Sequence, residues 1–237
     1  MNAIISNTGY CCTCDNYVTF SSHNEWLRDH YICENCRSIP RERALFYCIE
    51  KFYPNWAELA IHESSPANRG ASFKLKNNCK NYQATQFFPH LPLGWCDSNG
   101  WKNENLENQT FPDESFDLVI TQDVMEHVFD PAKAFGEIAR TLKSGGAHIF
   151  TVPLVNKNQP SQTCAVQSGG ETLYLKEPEY HGNPISEQGS LVVTNWGYDI
   201  CDFIFKNSGL YTFMVYTHDV SLGIEAEYIE VLISRKI

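Results

Sequence analysis

Three groups of residues in this chain have side chains that can do chemistry at the spacing they show. The first is cysteine. Cys11-Cys12-Thr13-Cys14 and Cys33-Glu34-Asn35-Cys36 are two C-x-x-C knuckles separated by eighteen residues. Paired knuckles supply four thiolates to one tetrahedral zinc, so Cys11, Cys14, Cys33 and Cys36 are the expected ligands of a structural site. Cys12 is left over, because Cys12-x-Cys14 does not let the backbone turn around a metal. His23 and His30 lie between the knuckles but are not needed. The second group is Gln122, Asp123, Glu126 and His127, which follow the apolar run Phe116–Ile120. The third is Glu179-Tyr180-His181-Gly182-Asn183-Pro184, where Tyr180 and His181 can exchange a proton with a hydroxyl or amine and Asn183 can hold one in place.

Regular elements must position these groups. Phe116–Ile120 reads as a strand buried in a parallel sheet, with a polar loop at its carboxyl end, where open α/β sheets place ligands. Asp130-Pro131 starts a helix by side-chain capping followed by a proline. Ala132, Phe135, Ile138, Ala139 and Leu142 give that helix one apolar face. Lys143 is expected in its last turn and Gly145-Gly146 after its end, with a second strand over Ala147–Val152. The unit is a right-handed βαβ crossover. Upstream, Pro40 to Pro54 carries Ala44, Leu45, Cys48, Ile49 and Phe52 at helical spacing. Trp56–Ser64 and Asn81–Phe88 read as strands. Downstream, Trp196–Asn207 reads as a helix closed by Ser208-Gly209, and Tyr211–His218 and Ala226–Ser234 as the last strands. The polar stretch from Pro153 to about Gly189 is too long for a routine connection.

FPDESFDLVITQDVMEHVFDP followed by EIARTLKSGGAHIFTVP resembles the fourth strand, following helix and fifth strand of class I S-adenosylmethionine-dependent methyltransferases, of the methyltransferase type 11-like kind. The resemblance covers roughly residues 57–237. It implies an α/β, Rossmann-like fold: a mostly parallel seven-stranded sheet whose last strand inserts antiparallel, here with a small N-terminal zinc-ribbon-like lobe. The expected organisation is a zinc lobe over 1–38, a connecting helix over 39–56 and a methyltransferase domain over 57–237, with a substrate-specificity insertion at about 155–190. The resemblance also implies cofactor roles. Glu63, at the end of the first strand, would accept hydrogen bonds from the ammonium or ribose of S-adenosylmethionine. Ser64 and Ser65 stand where the family has glycines, in a loop reading Glu63-Ser64-Ser65-Pro66-Ala67-Asn68-Arg69-Gly70. Gln86 replaces the ribose-binding acid and is otherwise a turn residue. Asn105 would read the adenine, and Gln122 and Asp123 would face the methionine half. For the transfer itself, His181 is the first choice of base, His127 the second, and Tyr180 an assistant. His127 is otherwise a helix-start residue.

The chain has 237 residues, 43% of them hydrophobic, and a formal charge of −10. It is long enough for one α/β domain with an appendage. No apolar run reaches the ~20 residues of a membrane helix. A soluble, cytoplasmic protein is expected, with Cys48, Cys79, Cys96, Cys164 and Cys201 as ordinary buried thiols in a reducing compartment. The negative charge argues against nucleic acid as partner, Arg37, Arg41 and Arg43 being the nearest thing to a basic patch. A small-molecule or sugar-like acceptor, methylated on oxygen ahead of nitrogen, is the expected substrate. Two alternatives stay open: an RNA-base methyltransferase, and a non-catalytic zinc-containing binding protein on a degenerate methyltransferase fold. The oligomeric state is not specified by the sequence.

Overall fold

The computed structural model describes residues 3–98, 100–183 and 186–237, with side chains at all of these except 183, 186 and 187. Asn183 as a polar anchor, and Pro184 beside it, therefore lie outside the described side chains.

The first forty residues cannot bury much apolar surface, and they fold around their cysteines. Strand β1 (Ile5–Cys11) pairs antiparallel with β2 (Asn16–Ser22), and the turn between them is the first knuckle. A single helical turn, α1 (Leu27–His30), leads to β3 (Ile32–Cys33), which pairs with β2 through Phe20 and Cys33. Among the described residues, Cys11, Phe20, Tyr31 and Cys33 form the lobe's own buried cluster. Helix α2 (Pro40–Phe52) follows, its first turn closed by Glu42, whose Oε2 accepts the Ile39 N–H at 3.1 Å.

The rest builds one sheet from β4 (Ala60–Ser64), β5 (Asn81–Gln86), β6 (Lys102–Asn103), β7 (Phe116–Gln122), β8 (Leu142–Thr151), β15 (Tyr211–Val215) and β16 (Val231–Arg235). Its spatial order is β15-β16-β8-β7-β4-β5-β6. Strand β16 runs antiparallel to both its neighbours, and the remaining strands run parallel to one another. This is the expected sheet. Helices α2 and α3 (Gly70–Asn78) cover one face, with Leu45, Ile49 and Leu75 against Ile61, Leu118, Ile120 and Ile149. Helices α4 (Pro131–Thr141) and α5 (Ile200–Ser208) cover the other, with Phe135, Ile138 and Ile204 against Val119, Phe150 and Leu232. Burial on both sides explains why β7 reads as an almost unbroken apolar run.

Several boundaries differ from the sequence reading: α5 starts at Ile200 rather than Trp196, β5 ends at Gln86 rather than Phe88, and β15 ends at Val215 rather than His218. Trp56–Glu58 is a 3-10 turn, so the first sheet strand starts at Ala60; Trp56 is held against Phe46, ring centroids 5.2 Å apart. Helix α4 ends at Thr141, so Leu142 and Lys143 lie beyond it. Leu142 already pairs with Phe116, and the register then jumps to Leu118 opposite Ala147. Residues 143–146 loop out, with Gly145 at φ +79° and Lys143 Nζ 2.9 Å from Asp117. The last strand begins at Val231 rather than near Ala226, because the chain from Asp219 to Tyr228 packs against the N-terminal lobe. There a Cβ on Gly9 would lie 2.0 Å from the Ser221 carbonyl oxygen, and one on Gly223 (φ +65°) 2.7 Å from the Phe20 ring.

The polar stretch after Pro153 is a β-rich insertion. Strand β9 (Gln162–Thr163) pairs with β14 (Thr194–Asn195). Between them stand two hairpins, β10 (Ala165–Ser168) with β11 (Glu171–Tyr174), and β12 (Tyr180–Asn183) with β13 (Ser186–Leu191).

Candidate functional site

The four predicted thiols converge. Cys11 Sγ lies 3.7 Å from Cys36 Sγ, Cys14 Sγ lies 3.9 Å from Cys33 Sγ, and all four sulfurs fall within 4.8 Å of one another. Thiolates around a tetrahedral zinc at ~2.3 Å stand about 3.8 Å apart, so the residues present fit the metal. Cys12 points away and donates to the Arg43 carbonyl oxygen at 3.4 Å; of the scattered cysteines, Cys48, Cys79 and Cys164 are buried as expected, Cys201 is half-buried and Cys96 is exposed.

Arginines lock this lobe to the carboxyl edge of the sheet. Arg43 is fully buried. Its guanidinium donates to the carbonyls of Tyr31, Ser38 and Gly223 and stacks 4.6 Å from the Phe20 ring centroid. Arg28 donates to the Tyr228 carbonyl at 3.0 Å and to Asp123 Oδ2 at 2.8 Å. Arg41 Nε lies 2.8 Å from the same Asp123 oxygen. Two of the three arginines that stood closest to a basic patch in the sequence are therefore internal partners, Arg43 buried and Arg41 partly so. Asp123 also takes the Thr151 hydroxyl on Oδ1 at 3.0 Å. Burial alone would raise its pKa, but Arg28 and Arg41 outweigh burial and hold it at about 2.

Glu63, Ser64, Gln86 and Gln122 come together at the ends of three adjacent parallel strands, with Ser64 in register with Thr85 and Thr121. Glu63 is fully buried. It accepts from Ser72 Oγ at 2.6 Å, Tyr82 OH at 2.7 Å and Gln122 Nε2 at 2.8 Å. Burial pushes its pKa up, against the pull of those three donors. Gln122 Oε1 is buried and has no hydrogen-bond partner among the described residues. Ser65 (φ +56°) and Asp123 (φ +52°) both adopt the left-handed conformation at neighbouring strand ends. Such backbone is uncommon away from glycine and gathers at ligand sites. The glycine of this loop, Gly70, faces α2: a Cβ there would sit 2.3 Å from Glu42 Oε2. Asn105 is engaged locally, its Oδ1 accepting the Glu107 N–H at 2.9 Å. An unpartnered buried acceptor on Gln122, in a polar strand-end crevice, fits the ammonium end of S-adenosylmethionine. Glu63 and Asp123 act as supports of that crevice, their oxygens already engaged by protein donors.

Beside the crevice, the β12–β13 hairpin closes over the 3-10 turn Met125–His127. The Val193 N–H donates to the Glu126 carbonyl at 2.7 Å, and His127 Nδ1 contacts the Leu191 carbonyl at 2.8 Å. A carbonyl only accepts, so Nδ1 carries the proton and Nε2 is free in the neutral ring. That Nε2 lies 3.7 Å from Glu126 Oε1, and His181 Nδ1 lies 3.6 Å from the same oxygen. Interaction with Glu126 raises the His181 pKa, against burial. The two imidazoles meet edge to face, 5.2 Å between centroids. Tyr180, next to His181 on β12, is half exposed and pairs with Tyr174, so strand alternation takes it away from this group. Of the residues singled out by sequence, His127 and His181 are thus brought together, and Tyr180 is not. Arg28, Arg41, Ser72 and Tyr82 were missed. No local pattern marks them, since each acts across the fold.

A parallel sheet in this order, with one antiparallel strand inserted next to its edge, is the fold of class I S-adenosylmethionine-dependent methyltransferases, and this chain has that fold. Residues 80–150 match the family described as a methyltransferase domain. A methyltransferase structure from Mesorhizobium loti superposes with a TM-score of 0.52 at 14% identity, covering 81% of this chain and 96% of that one. One from Methanosarcina mazei gives 0.45 at 13% identity, covering 78% and 97%. A dimethylglycine N-methyltransferase of Parasynechococcus marenigrum is 42% identical over 50 residues, which is 21% of this chain and 18% of that protein's length. No helix among the described residues is long and apolar enough to cross a membrane.

Proposed function

We propose that the chain transfers a methyl group from S-adenosylmethionine to a small-molecule acceptor, on oxygen in preference to nitrogen. The observation that carries this reading is the adjacency of the two halves of a transfer site: the crevice at Ser64, Gln86 and Gln122, and the Glu126–His127–His181 group beyond it under a hairpin. When bound, the cofactor supplies an electrophilic sulfonium methyl. The chain's own work is to hold, orient and deprotonate. Gln122 Oε1 receives the ammonium, and the strand-end loop positions the rest. The hairpin fixes the acceptor within reach, which is where much of the rate arises when the leaving group is already good. His181, resting on a buried carboxylate, takes the acceptor's proton. The burial of Arg43, and the pairing of Arg41 with Asp29 and Asp123, take up two of the three arginines that an RNA backbone would need. Calorimetric titration of the zinc-replete protein with S-adenosylmethionine and S-adenosylhomocysteine tests the reading. Micromolar binding, weakened about tenfold or more in Gln122→Ala, is expected. A folded protein that binds neither would overturn it in favour of a non-catalytic binding role.

A further inference from the structure

Glu126 presents a problem that methyl transfer does not solve. Its residue is 1% exposed, and among the described residues neither carboxylate oxygen has a hydrogen-bond partner. A buried carboxylate left without donors costs several kcal/mol, so such a group implies a missing positive partner. Its nearest neighbours are two imidazole nitrogens, His127 Nε2 at 3.7 Å and His181 Nδ1 at 3.6 Å. Both distances are too long for hydrogen bonds. They are close to the spacing of ligands that share a cation: nitrogen and oxygen donors at ~2.05 Å in a tetrahedral shell stand about 3.4 Å apart. One ligand atom from each of the three residues lies within 4.8 Å of the others.

The second feature is the fixed ring of His127. Its Nδ1–H is held by the Leu191 carbonyl, which leaves the Nε2 lone pair aimed at the cluster. Metal-bound histidines are held in just this way by a second-layer acceptor. The three donors come from two elements, the 3-10 turn and strand β12, so a shared cation would also pin the hairpin to the catalytic loop.

We propose that Glu126, His127 and His181 form a second metal site, distinct from the four cysteines, that takes a first-row divalent transition cation. Two imidazoles and one carboxylate suit zinc, iron, cobalt or manganese and leave coordination positions open. The acceptor's oxygen takes an open position; this last step rests on the methyl-transfer reading above, whereas cation binding itself does not. The cation and the proton compete for one lone pair of His181, so His181 serves as base only in the metal-free protein; with the cation bound, a coordinated acceptor hydroxyl would release its proton to bulk water.

The test uses zinc-loaded full-length protein, with the cysteine site filled, titrated with Co²⁺ and followed by calorimetry and visible absorption. A second equivalent is expected, giving weak d–d bands without thiolate charge transfer. In Glu126→Gln and His181→Ala the second equivalent should bind more than about tenfold more weakly, with the zinc retained. His181 is partly exposed on the hairpin, so its alanine variant reports even if the buried Glu126 substitution fails to fold. Absence of a second equivalent in the folded wild type, or binding unchanged in His181→Ala, overturns the site. Neither result bears on S-adenosylmethionine binding, which the titration under Proposed function decides separately.

Discussion

Two histidines inside the sheet make the stability of this protein depend on pH in a way that can be calculated. His62 on β4 and His148 on β8 lie in register with Val119 between them, and both are fully buried. Each has one ring nitrogen bonded to a threonine hydroxyl, Thr85 and Thr121, both at 2.9 Å, and a buried Nδ1 with no partner. Burial pushes both pKa values down to about 3, with Lys102 adding to the effect at His62 and His62 at His148. In the unfolded chain each returns to ~6.5. Between these values the unfolded state binds more protons, so stability is full above the unfolded pKa and is lost as pH falls below it. Going from about pH 7.5 to about pH 5.5 costs about 1.4 kcal/mol per histidine, and about 2.7 for the pair. The figure hardly depends on the folded value so long as that lies well below the lower pH. Urea denaturation of the zinc-loaded protein at both pH values measures it. His148→Gln keeps a partner for Thr121 and cannot titrate, so it should lose about 1.4 kcal/mol less than wild type over the same interval. Zinc-thiolate protonation contributes equally to both proteins and cancels. Equal losses in the two proteins would show that the imidazole is protonated inside the fold, and the reasoning would fail.

Other outcomes follow from the same contacts. Arg28→Met leaves buried Asp123 with Arg41 alone and should cost about 2–4 kcal/mol in denaturant; a loss below about 0.5 would mark the pair as surface-like. Because Asp123 is held at about 2, its contribution is present above the unfolded value near pH 4 and disappears as pH falls through about 2. Glu63→Gln sets an amide against donors from Ser72, Tyr82 and Gln122 and should destabilise the fold by about 1–3 kcal/mol, read as a shift in melting temperature. Chelating the metal from Cys11, Cys14, Cys33 and Cys36 should unfold the lobe, free Arg28 and weaken S-adenosylmethionine binding; calorimetry that finds the same affinity with and without chelator would show the lobe to be uncoupled from the crevice.

The sheet, its crossover helix and the cysteine cluster could be read from the chain because each is encoded over a few neighbouring residues. Phe116–Ile120 has the composition of a strand buried on both faces, Asp130-Pro131 caps a helix, and C-x-x-C repeats. The site was read less well, for a physical reason. Gln122 and Asp123 were placed correctly at a strand end, but what they touch depends on residues far away in sequence: Ser72 for one, Arg28 and Arg41 for the other. The insertion read as a polar loop because its two hairpins are largely solvated, with no face apolar enough to show a period of two. His181, the proposed base, stood out there by chemistry alone.

The clamp between the N-terminal lobe and residues 220–228 also governs how the chain comes to be folded. Asn7 with Val220, Arg28 with Tyr228 and Arg43 with Gly223 join positions 213, 200 and 180 residues apart. Synthesis delivers the cysteines long before the segment against which their lobe docks. The lobe can bind its metal early, yet it has nowhere to seat until residues 220–228 have emerged. Because Asp123 pairs with Arg28 of that lobe and with Arg41 of α2, its ion pairs are completed only once that segment is in place. A nascent chain that stops short of residue 220 would carry the parallel strands of the sheet with an unfinished rim, so the clamp decides when the strand ends are complete.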